Sequence, residues 1–312
     1  MKLKAPARKP DIRAGARRPG QRNAIPGPSV WLAAPALAVF GAFAVLPLIG
    51  VVALSFTTWD GLGSPTWTGP SNWTRMLSDD RVLNSLWLTL RFVVVTWLVQ
   101  TPVSLLLGVF MAGRQRYRAI YSVAFFVPIL LSSAAIAIAF KAFFDPNFGL
   151  GHALDIAALN QDWLGSPNLA LGVVVFVIAW QFVPFHSLLY QGGARQIPAS
   201  LYEAAMLDGA GRIRQFFSIT LPQLRYTIIT SSTLIVVGTL TYFDLIFVLT
   251  GGGPGYATRI LPLDMYLTGF KGWDMGGASV IGVILVSLGL AVSLLLNKAS
   301  GATRMESQME GV

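Results

Sequence analysis

Long apolar runs separated by shorter polar segments make up most of the chain after residue 28. Each run is near or above the roughly 20 residues that an α-helix needs to cross a bilayer about 30 Å thick. Length separates such helices from the buried helices of soluble proteins better than periodicity does, so the pattern indicates membrane spans. We therefore predict an all-α integral membrane protein with six transmembrane helices, at about 29–56, 85–112, 119–141, 169–191, 226–250 and 278–297.

The composition agrees with this prediction and excludes several classes of function. Apolar residues make up 54% of the chain and charged residues 12%, with a mean hydropathy of +0.61, whereas roughly a quarter of the residues of a soluble domain are charged. A soluble enzyme is therefore not expected. Because the chain has no cysteine and only two histidines, we also expect no cysteine-based or multi-histidine metal site.

The net charge of +9 could indicate nucleic-acid binding, but the positions of the basic residues indicate membrane topology instead. Most Lys and Arg residues fall in segments that six spans place on one side, and cytoplasmic loops are the ones enriched in these residues. We predict that both termini are cytoplasmic and that no nucleic acid is bound. The predicted domains are a disordered basic tail at 1–28, a six-helix domain at 29–297 with a long cytoplasmic loop at 192–225, and a cytoplasmic tail at 298–312.

The predicted loop at 192–225 carries the signals of two short helices. Ser200 and Glu203 have the spacing of a capping box, which predicts a helix start at Ser200, and Gly209 suits the left-handed residue that ends a helix. A second helix is predicted from Arg212 to Ser218, stopping before Leu221-Pro222, where proline can open the next helix. Local chemistry leaves two functions open: docking of another protein, or a helical connection that merely links two spans.

The same loop resembles a family motif. Glu203-Ala204-Ala205, followed by Gly209 and then by Ile219-Thr220-Leu221-Pro222, is similar to the EAA loop of binding-protein-dependent ABC importer permeases. In that family the loop is a coupling helix that sits in a cleft of the ATP-hydrolysing subunit. The resemblance implies that an ATPase contacts Glu203, Ala204, Ala205, Asp208, Gly209, Leu221 and Pro222.

A second motif narrows the resemblance. The segment 242–255, with the sequence YFDLIFVLTGGGPG, looks like the end of the fifth span in the first permease subunit of sugar importers, the maltose and glycerol-phosphate type. Shorter correspondences extend the likeness over nearly all of residues 30–297. It implies a type I ABC importer transmembrane domain in the bacterial inner membrane. The implied partners, besides the lipid bilayer, are a second permease subunit, a dimer of ABC ATPases and an extracellular sugar-binding protein.

On this basis the chain is expected to import a sugar or oligosaccharide by alternating access, driven by ATP hydrolysis in a partner subunit. A non-sugar solute such as glycerol-3-phosphate is the alternative within the family. An ion-coupled secondary transporter is disfavoured, because such proteins would be expected to have several intramembrane acids and a repeat of broken helices. A membrane-embedded enzyme is disfavoured because no tight cluster of acids or histidines stands at a predicted membrane edge.

No catalytic residue and no cofactor are predicted for this chain. Residues 251–255 are glycine-rich, but a Walker-type phosphate loop requires a Gly-Lys-Ser/Thr sequence that the chain lacks. Mg-ATP is therefore expected to bind the partner ATPase and not this subunit.

Five residues are candidates for a solute pathway, since aromatic rings can stack on a sugar and polar side chains can hydrogen-bond its hydroxyls. Asp244 is the one acid well inside a predicted span, and an ionisable residue there is a functional hypothesis by default. The alternative is that Asp244 braces the turn at 251–253 and that the aromatic residues face lipid or pack. The candidates are Trp180, Gln181, Tyr242, Phe243 and Asp244.

Overall fold

The computed structural model describes residues 30–113, 125–156 and 159–300. The predicted N-terminal tail at 1–28, the start of the predicted third span at 119–124 and residues 301–312 of the C-terminal tail lie outside the described residues. The chain divides into two units, Met1–Ile49 and Gly50–Val312.

The described chain is almost entirely helical. Three π-helical turns, at Gly41–Val45, Phe216–Thr220 and Leu267–Lys271, and a 3₁₀ turn at Val30–Ala33 interrupt or extend the α-helices. Residues 125–130 are also helical. The α-helices are α1 (Ala34–Phe40), α2 (Leu46–Leu54), α3 (Ser71–Leu77), α4 (Asp80–Ala112), α5 (Ser133–Phe143), α6 (Leu150–Ala153), α7 (Pro167–Arg195), α8 (Ala199–Leu207), α9 (Arg212–Gln215), α10 (Leu221–Gln223), α11 (Arg225–Thr241), α12 (Asp244–Leu249), α13 (Leu261–Tyr266) and α14 (Met275–Ser300).

Four helices of the described chain are long and apolar enough to cross a membrane, or five if a pair bent by 69° counts as one span. The four agree with the predicted first, second, fourth and sixth spans. The bent pair joins Arg212–Gln223 to α11. The total of six spans and the cytoplasmic position of the termini stay predictions. The four helices are Trp31–Leu54, Asp80–Ala112, Pro167–Arg195 and Met275–Leu296.

The predicted fifth span at 226–250 is not one continuous helix. Between α11 and α12 the backbone leaves the helical conformation at Tyr242 (φ −63°, ψ 122°) and Phe243 (φ −134°, ψ −62°). Just before the break, the hydroxyls of Thr239 and Thr241 donate hydrogen bonds to carbonyls of the preceding turn. Such bonds from Ser and Thr weaken and bend helices, so the sequence of this segment favours a break where hydropathy predicts a straight span.

The described part of the predicted third span is also interrupted. The helical residues 125–130 and α5 are separated at Leu131 and Ser132. Ser132 caps α5, since its hydroxyl accepts a hydrogen bond from the amide of Ala135 at 3.2 Å.

Helices α4 and α7 form the most extensive helix pair of the described chain. Gly108 allows their close approach, because a Cβ atom there would lie 2.5 Å from the carbonyl oxygen of Ser187 and 2.6 Å from Cβ of Tyr190. The largest core cluster lies where α4, α5, α7 and α12 meet. Its fully buried members include Phe92, Ala137, Val174, Ile178, Leu245 and Ile246.

A short β-hairpin and α3 lie against the start of α14. Strand β1 (Thr57–Thr58) pairs antiparallel with β2 (Thr66–Trp67), in the register Thr57 to Trp67 and Thr58 to Thr66. The side-chain amide of Asn72 donates to the carbonyls of Ser55 and Thr57.

An ion pair ties α3 to α14, with 2.6 Å between the Arg75 guanidinium and the Asp274 carboxylate. Burial alone raises the pKa of Asp274. The hydrogen bonds from Arg75 and the Gly277 amide, with the charges of Arg75 and Arg81, outweigh burial and hold that pKa below its ordinary value.

Candidate functional site: a central cavity and an exposed helical loop

A cavity of about 440 Å³ opens between α4, α7 and α11, beside the break that follows α11. Its wall combines aromatic rings with hydroxyl, amide, imidazole and carboxylate groups, a mixture typical of sites that bind a polar solute. The polar and aromatic residues that line it are Gln100, Phe182, Phe185, His186, Thr239, Thr241, Tyr242 and Asp244.

The break between α11 and α12 places two of the predicted pathway residues in this cavity. Tyr242 lies in the break, and its ring meets that of Phe182 edge to face with 5.5 Å between centroids. Asp244 is the first residue of α12, and its side chain is exposed. The predicted pathway role of Tyr242 and Asp244 is therefore compatible with their positions.

The turn at 251–253 is held by other residues than Asp244. The hydroxyls of Thr250 and Thr258 lie 2.7 Å apart, and Thr258 donates to the carbonyl of Gly253 at 2.9 Å. Asp244 is the first residue of α12, and the turn follows the last residue of that helix. The structure therefore gives no support to the alternative that Asp244 braces the turn.

The other three predicted pathway residues lie elsewhere. Trp180 lines a separate, mostly apolar groove and contacts the ring of Phe140 edge to face at 5.1 Å. The buried Gln181 points its amide at the carbonyl of Leu131, 3.5 Å away. Phe243 stacks on Phe247 with 5.4 Å between centroids. Trp180 and Gln181 diverge although they are neighbours in sequence, because successive residues of a helix point about 100° apart.

Six of the polar and aromatic cavity residues in the described chain were not among the five predicted candidates: Gln100, Phe182, Phe185, His186, Thr239 and Thr241. Gln100 is buried in α4, and His186 is buried in α7 with its Nδ1 atom 3.0 Å from the hydroxyl of Ser231. The only sequence signal for either is a polar side chain inside an apolar span. That signal does not identify the face of the helix on which the side chain lies.

The loop predicted at 192–225 folds into short helices, and its first helix differs at its start from the prediction. Helix α8 begins at Ala199 with Pro198 as its N-cap, and no side chain caps it. The predicted capping box of Ser200 and Glu203 is therefore wrong. The ring of Pro198 fixes its φ (−58°), and its ψ of 132° is the extended value typical of the residue that precedes a helix.

The end of α8 is as predicted. Gly209 adopts φ +75°, in the left-handed region. Its amide donates to the carbonyl of Met206 at 3.0 Å, and the amide of Ala210 donates to that of Ala205 at 2.8 Å. These two bonds are the pair that defines a Schellman motif, which satisfies the last carbonyls of a helix.

Most of the predicted ATPase contacts form an open surface on α8 and on the residues that follow it. The side chains of Glu203 and Asp208 are exposed, and so is Leu207, at 90%, which was not among the predicted contacts. Ala204, Gly209 and Pro222 are exposed too, and Ala205 is half-buried. An exposed combination of apolar residues, small residues and two acids suits contact with another protein better than a connection that only links two spans.

The second short helix continues past the predicted stop. It runs from Arg212 through a π-helical turn at Phe216–Thr220 and continues through Leu221 and Pro222 to Gln223. Proline has no amide hydrogen, and the wider turn accommodates it without ending the helix. Helix Arg212–Gln223 then meets α11 at 69°.

Three contacts tie the exposed loop to itself and to the long helices. The hydroxyls of Tyr202 and Thr220 lie 2.8 Å apart, and the Gln215 amide donates to the carbonyl of Ala210 at 2.7 Å. Leu221 is half-buried and packs in a cluster around Leu224, so it supports the loop instead of offering surface. The cluster contains Leu105, Tyr190 and Leu224 as its buried members.

A buried ion pair near the turn at 251–253 has no signal in the sequence pattern. The guanidinium of Arg259 donates to Asp264 from Nε at 2.8 Å and approaches it through a second nitrogen at 2.6 Å. The Asp264 side chain is fully buried and that of Arg259 is 14% exposed. Arg81 approaches the same carboxylate at 3.9 Å. The pair fixes the start of α13 beside the broken span.

Comparisons with known proteins place the chain in a family. The profile of the binding-protein-dependent transport system inner membrane component matches residues 100–302. A trehalose/maltose transport system permease protein of Thermococcus litoralis is 32% identical, covering 85% of this chain and 90% of the relative. An sn-glycerol-3-phosphate transport system permease protein of Brucella abortus is also 32% identical, covering 84% of this chain and 91% of the relative.

The fold is shared with a solved transporter. A crystal structure of a bacterial ABC transporter involved in the import of the acidic polysaccharide alginate contains a chain that superposes with a TM-score of 0.77, covering 89% of this chain and 96% of that one. The two sequences are 21% identical, so this likeness establishes the architecture alone. From the profile match and the relatives, the chain belongs to the inner membrane components of binding-protein-dependent transport systems, a family of ABC transporter permeases.

Proposed function

We propose that this chain is one of two permease subunits of an ABC importer that takes up a sugar or oligosaccharide. The observation that carries the proposal is the central cavity, in which aromatic rings and hydrogen-bonding groups meet at a broken helix. An aromatic face binds the apolar face of a sugar ring, and groups such as Gln100 and Thr241 can hydrogen-bond to its hydroxyls. The name of the Thermococcus litoralis relative, a trehalose/maltose transport system permease protein, agrees with this substrate class.

The proposal includes a topology of six transmembrane spans with both termini of the chain in the cytoplasm. The loop that contains α8 then lies in the cytoplasm, where it docks on a dimer of ABC ATPases that binds and hydrolyses Mg-ATP. An extracellular binding protein delivers the solute from the other side. This chain carries out no covalent chemistry and binds no cofactor of its own.

In this mechanism α8 transmits motion as a rigid unit. The two acids and the exposed apolar residues of α8 meet the ATPase, and the bond between Tyr202 and Thr220 passes the displacement to the second short helix. Leu221 and Leu224 pass it on to the ends of α4 and α7. The long helices then alternate between opening the cavity to one side of the membrane and to the other.

Charge reversal on α8 tests the proposed function. In proteoliposomes containing the complete complex, Glu203→Lys is expected to lower ATP-driven sugar uptake by at least about tenfold. The reason is that the attraction between the Glu203 carboxylate and opposite charge on the docked ATPase is replaced by repulsion. Glu203→Gln is expected to have a smaller effect. Asp60→Lys, the reversal of an exposed acid in the predicted outer loop, serves as the matched control. Unchanged uptake in Glu203→Lys, or proton-driven uptake by this chain alone, would contradict the proposal.

Tyr202→Phe tests the transmission step. The substitution keeps the ring but leaves the hydroxyl of Thr220, a residue that is 4% exposed, without its partner. An unpaired buried hydroxyl costs about 1–3 kcal/mol, so we expect uptake per assembled complex to fall about three- to tenfold. Tyr226→Phe removes a hydroxyl from an exposed pair with Arg225 and is the control. Equal rates of ATP-driven uptake in the two variants would refute the assigned role.

A further inference from the structure

We propose that Asp244 makes the central cavity selective against anions, so that the imported solute is an uncharged sugar and not a phosphorylated or acidic one. This inference rests on the proposed function and concerns the same cavity. It addresses the choice between a neutral sugar and glycerol-3-phosphate.

Neither the fold nor the family membership makes this choice. The fold is shared with an importer of an acidic polysaccharide, and one relative at 32% identity is named for trehalose and maltose while another at the same identity is named for glycerol-3-phosphate. Any discrimination by charge within this subunit must therefore come from the side chains that a solute meets along its path.

The position of Asp244 puts a carboxylate at the cavity. The residue follows directly on the break between α11 and α12, and its side chain is exposed although it lies in an otherwise apolar segment. Within the described part of the chain, no hydrogen bond or ion pair holds this carboxylate. Its acceptor oxygens are therefore available to the hydroxyl groups of a sugar.

The remaining wall offers an anion no compensating cation. The described residues that line the cavity include no Lys and no Arg. The imidazole of His186 is buried and lies 3.0 Å from the Ser231 hydroxyl. Arg81 and Arg259 form ion pairs with Asp79 and Asp264, and neither arginine lines the cavity. Among the described residues that line the cavity, Asp244 is thus the one acid, and no Lys or Arg offsets its charge.

The expected size of the effect follows from Coulomb's law. Two like charges about 7 Å apart in a medium of effective dielectric constant about 20 repel each other by an amount that corresponds to at least about a tenfold change in an equilibrium constant. A neutral sugar experiences no such repulsion and gains a hydrogen-bond acceptor, and bonds to a charged acceptor are stronger than those between neutral groups.

Paired substrates test the inference. Proteoliposomes with the complete complex, ATP and the binding protein would be given a neutral disaccharide that the wild type imports, selected from maltose, trehalose and cellobiose. They would also be given its uronate, in which one primary alcohol is oxidised to a carboxylate, and glycerol-3-phosphate. Equilibrium dialysis measures how much of each probe the binding protein holds, and each uptake rate is expressed per bound probe. This correction separates the selectivity of the membrane cavity from that of the binding protein.

The wild type is expected to import the neutral disaccharide at least about tenfold faster than either anion. In Asp244→Asn the ratio of uronate to neutral uptake should rise about tenfold, whatever the absolute rate. Thr241→Lys, which adds a cation to the same wall, should raise the ratio while Asp244 is kept. Asp60→Asn removes an exposed acid outside the cavity and should leave the ratio unchanged.

The possible results distinguish a failure of the role of Asp244 from a failure of the sugar permease assignment. Equal corrected rates for neutral and anionic probes in the wild type, or an unchanged ratio in Asp244→Asn, would overturn the role of Asp244 and leave the sugar permease assignment standing. A wild-type complex that imports none of the disaccharides with ATP, although the binding protein holds them, would overturn the proposed function and this inference with it.

Discussion

Replacing Arg259 with methionine is expected to lower the free energy of unfolding by about 3–5 kcal/mol. The substitution keeps most of the apolar length of the side chain but removes the charge that faces Asp264. That carboxylate is fully buried, and its two shortest contacts with cations both go to Arg259, at 2.6 and 2.8 Å. Arg81, at 3.9 Å, is too far away to replace them. Most of this loss of stability comes from leaving the Asp264 carboxylate buried without a counter-charge, and less of it comes from losing the attraction to Arg259.

Two comparisons make this expectation specific. Arg75→Met breaks an ion pair of the same 2.6 Å length, but its arginine side chain is 52% exposed, so a loss of at most about 1 kcal/mol is expected. The double variant Arg259→Met with Asp264→Leu removes both buried charges and should recover most of the lost stability. Denaturant titration in mixed micelles measures all of these variants. Equal losses for Arg259→Met and Arg75→Met would show that burial of the pair is energetically unimportant.

Replacing Gly209 with proline is expected to abolish transport, with uptake at least about fiftyfold below wild type. Gly209 has φ +75°, and its amide donates the bond to Met206 that closes α8. Proline fixes φ near −65° and has no amide hydrogen, so it removes both features at once. The end of α8 must then unwind or turn away, and the ATPase loses a rigid surface to act on. ATP hydrolysis should continue but no longer be coupled to uptake.

A milder substitution at Gly209 and a proline at a neighbouring glycine serve as comparisons for Gly209→Pro. Gly209→Ala keeps the amide and suffers only the strain of a left-handed backbone, about 1–2 kcal/mol, and should reduce uptake moderately. Gly211→Pro is the control, because Gly211 already has φ −69° and open space around the position of a Cβ atom. Normal uptake in Gly209→Pro would overturn the role of the helix end. A loss in Gly211→Pro as large as that in Gly209→Pro would mean that any proline in this loop is damaging.

The spans and the end of α8 were predictable because each depends on local physics. A helix in lipid must satisfy its backbone within itself, so hydropathy and length suffice to locate the spans that end at Leu54, Ala112 and Arg195. A left-handed position strongly favours glycine, so Gly209 could be assigned without knowledge of its surroundings.

Other features were wrongly predicted where two local signals competed. Pro198 and the spacing of Ser200 and Glu203 both mark a helix start, and the structure uses the proline, one residue earlier. Similarly, Pro222 was read as an opening position, although a π-helical turn carries the second short helix through it. Sequence patterns of this kind identify an end but do not rank the possible ends.

The sequence by itself determined the membrane class of this protein, most of its apolar spans, the helical loop and the motifs that identify the family, because these depend on neighbours along the chain. Only the tertiary structure decided which polar residues meet. It brought Gln100, His186, Tyr242 and Asp244 to one cavity and sent Trp180, Gln181 and Phe243 to other surfaces. It also buried Asp264 against Arg259. The physical reason is that a helix break and the packing of three helices set the direction of each side chain, and hydropathy carries no information about direction within a uniformly apolar segment.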